Sequence, residues 1–190
     1  MPYSELDVVN QALSLIGKPA VTNTSDSPQA FLMANRLQLL KPDILLETIW
    51  NFAREYVSND TPLVNNFTPE YPYTYQLPYN YGRFDRLAWP NVGATNYEIT
   101  DGLLLCNARP ITYYYVVNDA AYSTLTSSAV LALAHLVASK TALVLTNNIN
   151  LTKYLEEQYT NVYLPKAILF NDMERQISQS PNDFDRQVYI

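Results

Sequence analysis

The stretch "TLTSSAVLALAHLVASKTALVL", Thr124 to Leu145, constrains the fold more than any other part of the chain. It is built from helix-compatible residues and is apolar on nearly all sides, so whatever it forms must be covered all round. A membrane span is one solution. His135, Ser139, Lys140 and Thr141 interrupt the run, however, and no unbroken apolar segment of about eighteen residues survives. A central helix buried on most faces fits better, and it demands amphipathic partners.

Those partners can be read on either side. Ser4 is a good N-cap with Asp7 three residues on, and Leu6, Val9, Leu13 and Ile16 share one helical face before Gly17 and Pro19 stop it. "TNTSDSPQA" is a loop, and Ser27-Pro28 starts a second helix, whose face carries Ala30, Met33, Ala34, Leu37, Leu40, Ile44, Leu45 and Ile49. Pro42 is expected to kink or split it. The segment closes around "ETIWNFARE", where Trp50 and Phe52, two apart on a helix, point to different faces. One is expected in the core and the other at the junction with a β-region. The last helix starts near Asn150 with Leu151, Leu155, Val162, Leu169, Met173 and Ile177 on one face, and Pro165 is expected to bend or break it.

Between these helices the pattern changes. From about Tyr56, Pro, Asn and Tyr dominate, and strands are expected near 73–77, 86–89, 96–100, 103–106 and 111–117, with Asp101-Gly102 as a hairpin turn. In "PEYPYTYQLPYNYGRF" the alternation puts Tyr71, Tyr73, Tyr75 and Leu77 on one face of an extended segment that ends at Pro78. Tyr113 and Tyr115 face one way and Tyr114 the other. The expected fold class is α+β: mainly a helical bundle (1–55 and 119–179), an inserted small antiparallel β-region (56–118) and a flexible C-terminal tail (180–190). No internal repeat is visible.

Several function classes are disfavoured. Net charge is −6 with only twelve Lys and Arg and no run of them, against a dedicated nucleic-acid binder. The single cysteine, Cys106, excludes an intramolecular disulfide and a Cys-rich zinc site, and reads as a small buried hydrophobe. The only histidine, His135, lies mid-helix among Ala, Leu and Val, where a packed side chain is the simpler reading than a His135–Cys106 catalytic pair. The four glycines form no G-x-G-x-x-G or P-loop, and no metal-ligand spacing appears. Paired carboxylates remain as candidate glycosidase groups, although Glu156 and Glu157 read as a solvated helix face. No catalytic residue, cofactor or metal is expected. The opening "MPYSELDVVNQALSLIG" lacks the pattern of a secretory signal.

Four stretches taken in order carry a resemblance. They are "NQALSLIGKPAV" with "DSPQAFLMANRL" and "LLETIWNFARE"; "YTYQLPYNYGRFDRLAWP"; "YEITDGLLLCNARPITYYYVV"; and "SSAVLALAHLVASKTALVLT". Together, over roughly Glu5 to Asn171, they resemble the head–tail adaptors of short-tailed bacteriophages, the tail tubular protein A family. The resemblance implies a structural virion protein, made in the host cytoplasm. Such proteins form a ring, typically of about twelve copies, between the portal protein and the tail nozzle protein. DNA passes through the channel without specific binding, and no membrane is involved. It implies no catalytic or cofactor-binding residues.

Within that frame Phe184, Arg186, Tyr189 and Ile190 of the tail are candidate portal-binding residues, because a segment that orders on docking gains contact area. Tyr71, Tyr73, Tyr75, Tyr79 and Tyr81 are candidates for a subunit or nozzle interface, since Tyr offers large contact area with a polar handle. The competing expectations are a virion-associated polysaccharide hydrolase using carboxylates near the Tyr-rich β-region, and a monomeric assembly factor of similar fold.

Overall fold

The computed structural model describes residues 2–63, 70–91 and 95–177. The chain forms two compact units, Met1–Phe52 with Ala120–Ile190, and Ala53–Asp119.

In the first unit α1 (Glu5–Leu15) opens on a complete capping box. Ser4 Oγ accepts from the Asp7 amide at 3.3 Å, and Asp7 Oδ2 accepts from the Ser4 amide at 2.8 Å. Its buried face is Val8, Val9, Ala12 and Leu13, and Gly17 at φ 71° follows its end, a conformation open to glycine at little cost. The next turns are tied by Asn10, which exchanges two hydrogen bonds with the Val21 backbone. Ser27 then caps α2 (Pro28–Glu47). This helix runs through Pro42 unbroken, contrary to the expected split. Proline removes one backbone bond there, and Leu37, Lys41, Ile44 and Leu45, buried on both sides of it, hold the helix in place. Trp50 follows beyond the helix, not on it, so its ring and that of Phe52 stack with centroids 5.3 Å apart. Its Nε1 donates to the Ile44 carbonyl at 2.7 Å, which turns the chain back on the end of α2.

The central helix is α3 (Ser127–Thr146), capped by Thr126 and buried through twelve of its side chains. It is long and apolar enough to cross a membrane, with mean hydropathy 1.7, but 67% of that window is buried against the rest of the protein. α1 and α2 pack on it. Its buried hydroxyls are satisfied within the helix: Ser139 donates to Leu136 O and Thr141 to Val137 O. Asn147 at φ 52° ends it, and the very next residue, Asn148, caps the following helix. That helix is α4 (Ile149–Gln158), a π turn (Tyr159–Tyr163) and α5 (Leu164–Ile177), which run on continuously.

The second unit holds two three-stranded antiparallel sheets. β1 (Arg54–Asn59), β6 (Ile111–Val117) and β3 (Tyr81–Leu87) form one in the order β1-β6-β3. β2 (Tyr73–Gln76), β5 (Leu103–Cys106) and β4 (Tyr97–Thr100) form the other in the order β2-β5-β4. β4 and β5 join through Asp101-Gly102, both at positive φ as a primed hairpin turn requires. Phe84 of β3 bridges the sheets: its ring lies 4.7 Å from Tyr97 and 5.8 Å from Tyr113. Leu104, Cys106, Tyr75, Tyr113 and Tyr115 are all buried, so the unit has a core of its own.

The expected fold class is therefore corrected. The protein is α+β, with four continuous helices (α4, the π turn and α5 counted as one) and two three-stranded antiparallel sheets among the described residues, 51% helical and 20% strand, and not mainly a helical bundle. β1 was hidden because "REYVSN" is mostly charged and polar and shows no apolar alternation. Without it the central strand β6 lacks one neighbour, and the β-region reads as a small appendage.

Candidate interaction surface

The tyrosine-rich segment is ordered, and its residues divide. Tyr75 is 1% exposed, with its hydroxyl donating to Ala108 O at 3.2 Å and its acidity pushed to a pKa of about 12, mainly by burial. Its ring contributes to the β core and offers no surface to a partner. Tyr71 and Tyr73 are half-buried. Tyr81 is also half-buried, and stacks on Tyr115 at 5.9 Å. Only Tyr79 is open, at 99% exposure, because the turn after Pro78 lifts it clear of β3.

Tyr113 and Tyr115 face inward, and burial raises both hydroxyls' pKa, Tyr113 to about 12. Tyr115 Oη donates to Glu55 Oε2 at 2.6 Å and also meets Asn80 Oδ1 at 2.9 Å. Tyr114, on the other face, lies under two guanidinium groups, Arg54 at 4.0 Å and Arg86 at 5.4 Å from its ring centroid. Arg54 Nε also contacts Asp85 Oδ2 at 2.7 Å, and both side chains are largely buried. Glu55 and Asp85 thus hold the β unit together, and that is what their carboxylates are engaged in.

One exposed aromatic of this unit escaped sequence reasoning. Trp89 is 78% exposed beside a firmly held backbone: Asn91 donates to Pro110 O at 2.9 Å and accepts from the Thr112 amide at 2.8 Å. The run "RLAWP" reads as a strand end, which gives no sign that the indole points outward.

His135 and Cys106, weighed as a catalytic pair, belong to different units, and each is engaged within its own. Burial pushes the Cys106 thiol up, and its Sγ is directed at Ala108 O. His135 is buried, with Nδ1 2.8 Å from Leu131 O and its ring stacked on Tyr163 at 3.7 Å. Burial lowers its pKa, so the imidazole is neutral near pH 7. Glu156, on an exposed stretch of α4, pairs with Lys140 at 2.9 Å. Among the described residues no three His, Cys, Asp or Glu side chains are grouped to hold a metal ion.

The last helix departs most from expectation. Leu155 is buried, but Val162, Leu169 and Met173, expected on the same face, are exposed, Leu169 at 59% and Met173 at 51%. The residues that follow Leu155 into the interior are Ala167 and Asn171. The π turn explains the change. At about 100° per residue, Ala167 would sit about 120° away from Leu155 around an uninterrupted α-helix. A π turn takes up one extra residue, about 100°, and brings Ala167 to within about 20° of Leu155. The Leu164 amide accordingly donates to Tyr159 O, five residues back. Pro165 has no amide to donate, and it sits two residues past this widened turn. The result is an exposed apolar patch of Leu169, Phe170 and Met173 on one face of α5.

The tail candidates Phe184, Arg186, Tyr189 and Ile190 lie outside the described residues. No family model matches the chain, and no curated protein matches it.

Proposed function

We propose that this protein is a structural component of a phage virion, a head-to-tail adaptor that assembles as a ring between the portal and the tail nozzle and surrounds the DNA path. The observation that carries the reading is the exposed Leu169–Phe170–Met173 patch on α5. Contiguous apolar surface on a helix otherwise docked by an alanine and an asparagine is characteristic of a protein–protein contact. The open Trp89 and Tyr79 of the β unit add side chains of the kind enriched in interface centres. The order of the four sequence stretches supports the same assignment. In this reading the patch makes the lateral contact of the ring, the β unit's aromatics meet the nozzle, and Phe184, Arg186, Tyr189 and Ile190 meet the portal.

The test is reconstitution. Mixed with the portal of the same phage, the purified protein should give a stoichiometric ring by mass measurement, and alone it should scatter light as a monomer. Leu169→Asp with Met173→Glu should abolish the ring and leave the circular dichroism of the free chain unchanged. Removal of residues 180–190 should weaken portal binding. Failure to bind any portal or nozzle candidate refutes the assignment, and a ring unaffected by the double substitution removes the role of α5.

A further inference from the structure

The helical unit holds α5 in an unusual way. The only fully buried side chains of α5 among those described are Ala167 and Asn171, whereas α3 buries twelve. Beyond Ala167 the apolar docking of α5 rests on the half-buried Leu164 and Ile168, and the fastening is largely polar. Asn171, 3% exposed, accepts from the Asn51 amide through Oδ1 at 2.7 Å and donates from Nδ2 to Ile49 O at 2.9 Å. The Asn51 side chain returns a third bond, from Nδ2 to the Asn171 carbonyl at 2.7 Å. At the other end of α5 the backbone ladder is weakest, because the π turn replaces i−4 bonds by an i−5 bond and Pro165 supplies no donor.

We infer that α5 is a latched arm: it detaches from the helical unit as one piece, hinged at the π turn and Pro165, with the Asn51–Asn171 amide pair as its latch. The two features are matched. The π turn sets the azimuth that brings Asn171 inward, and a buried asparagine accepts one azimuth where a leucine would tolerate several. When the arm opens, the groups of the latch hydrate, Ala167 and the half-buried Leu164 and Ile168 become exposed, and the packing of α1, α2 and α4 on α3 is kept. The proposal does not depend on the adaptor assignment, although an arm that carries the Leu169–Phe170–Met173 patch could place it differently before and after assembly.

Hydrogen exchange of the full chain, read by mass spectrometry, tests this. In the native protein, α5 amides should exchange through an opening at least about a hundredfold more frequent than that of α3. Asn171→Ala should raise α5 exchange a further tenfold or more and leave α3 exchange unchanged. Asn51→Ala, which removes one of the three bonds and leaves the backbone donor, should give a smaller rise confined to α5. Pro165→Ala, which returns a donor to the hinge, should slow α5 exchange. Equal protection of α5 and α3 in the native chain overturns the proposal. So does a uniform rise across α1, α2 and α3 in both asparagine variants, which would make the pair an ordinary part of the global core.

Discussion

Asp85→Asn is the most informative single change in the β unit. The Asp85 carboxylate is 3% exposed and meets the Arg54 guanidinium, 16% exposed, at 2.7 Å. At an effective dielectric near 20, such a pair at about 4 Å between charge centres gains about 4 kcal/mol, much of it spent on removing both groups from water. The amide keeps the shape and removes only the charge, so the buried Arg54 guanidinium loses the carboxylate it meets. Its contact with the Tyr114 ring at 4.0 Å is the same in both proteins and does not enter the difference. The net loss should be about 3 kcal/mol. Urea unfolding followed by near-ultraviolet circular dichroism reports it, because the tyrosine core of this unit supplies the signal. The decisive comparison is Arg54→Met with Asp85→Asn. With both charges gone, the double variant should be more stable than Asp85→Asn alone. A loss below about 1 kcal/mol for the single change, or a double variant no more stable than it, refutes the argument that the pair is a desolvated, mutually dependent ion pair.

Asn91→Ala removes the acceptor of the buried Thr112 amide and should cost about 2 kcal/mol, with faster exchange at that amide in NMR. Ser4→Ala should cost about 1 kcal/mol in thermal unfolding by opening the capping box. The pKa of Asp7 is lowered by its bonds to Ser4, so its contribution is complete above its unfolded value and is lost as pH falls through the folded one. Asp7→Asn should therefore remove that part of the acid dependence of the melting temperature. The His135 pKa is also lowered, by burial, so the unfolded chain takes up its proton first as pH falls below about 6.5. Stability should drop from that point until the folded pKa is passed, and His135→Phe, which keeps a ring against Tyr163, should flatten the profile; an unchanged slope would refute it.

Local signals in the sequence were strong where one physical rule dominated. The Ser4–Asp7 cap, the Ser27-Pro28 start, the Asp101-Gly102 turn and β5 and β6 each follow from a short pattern. The all-round apolarity of 124–145 identified the helix at the centre of its unit. Where two rules competed, the pattern misled. Pro42 should break a helix, but the apolar residues on either side of it are buried and the helix persists. The seam of the last helix assumed a constant 100° step, and a π turn has no periodicity signature of its own. β1 lacked apolar alternation because its partners are Tyr side chains and ions: Arg54 on Tyr114, Glu55 on Tyr115, Tyr56 beside Tyr114 at 5.2 Å. For the candidate surface, composition pointed to tyrosine, whereas burial separates the open Tyr79 from the enclosed Tyr75. The exposure of Trp89 and Met173 depends on tertiary placement and has no local sign.

The helical unit is assembled from two stretches of chain with the β unit between them, and this bears on the order of synthesis. α1 and α2 pack against α3, whose first residue comes eighty positions after the end of α2. On the ribosome these two helices emerge with their apolar faces uncovered. The β unit is contiguous and can close while they wait. α3 then arrives as a helix hydrophobic enough to be mistaken for a membrane segment, and it is shielded at once only if its earlier partners are still free to receive it. A slow step between residues 120 and 146 would prolong that exposure, so the yield of folded protein should respond to elongation rate there and to chaperones that shelter apolar helices.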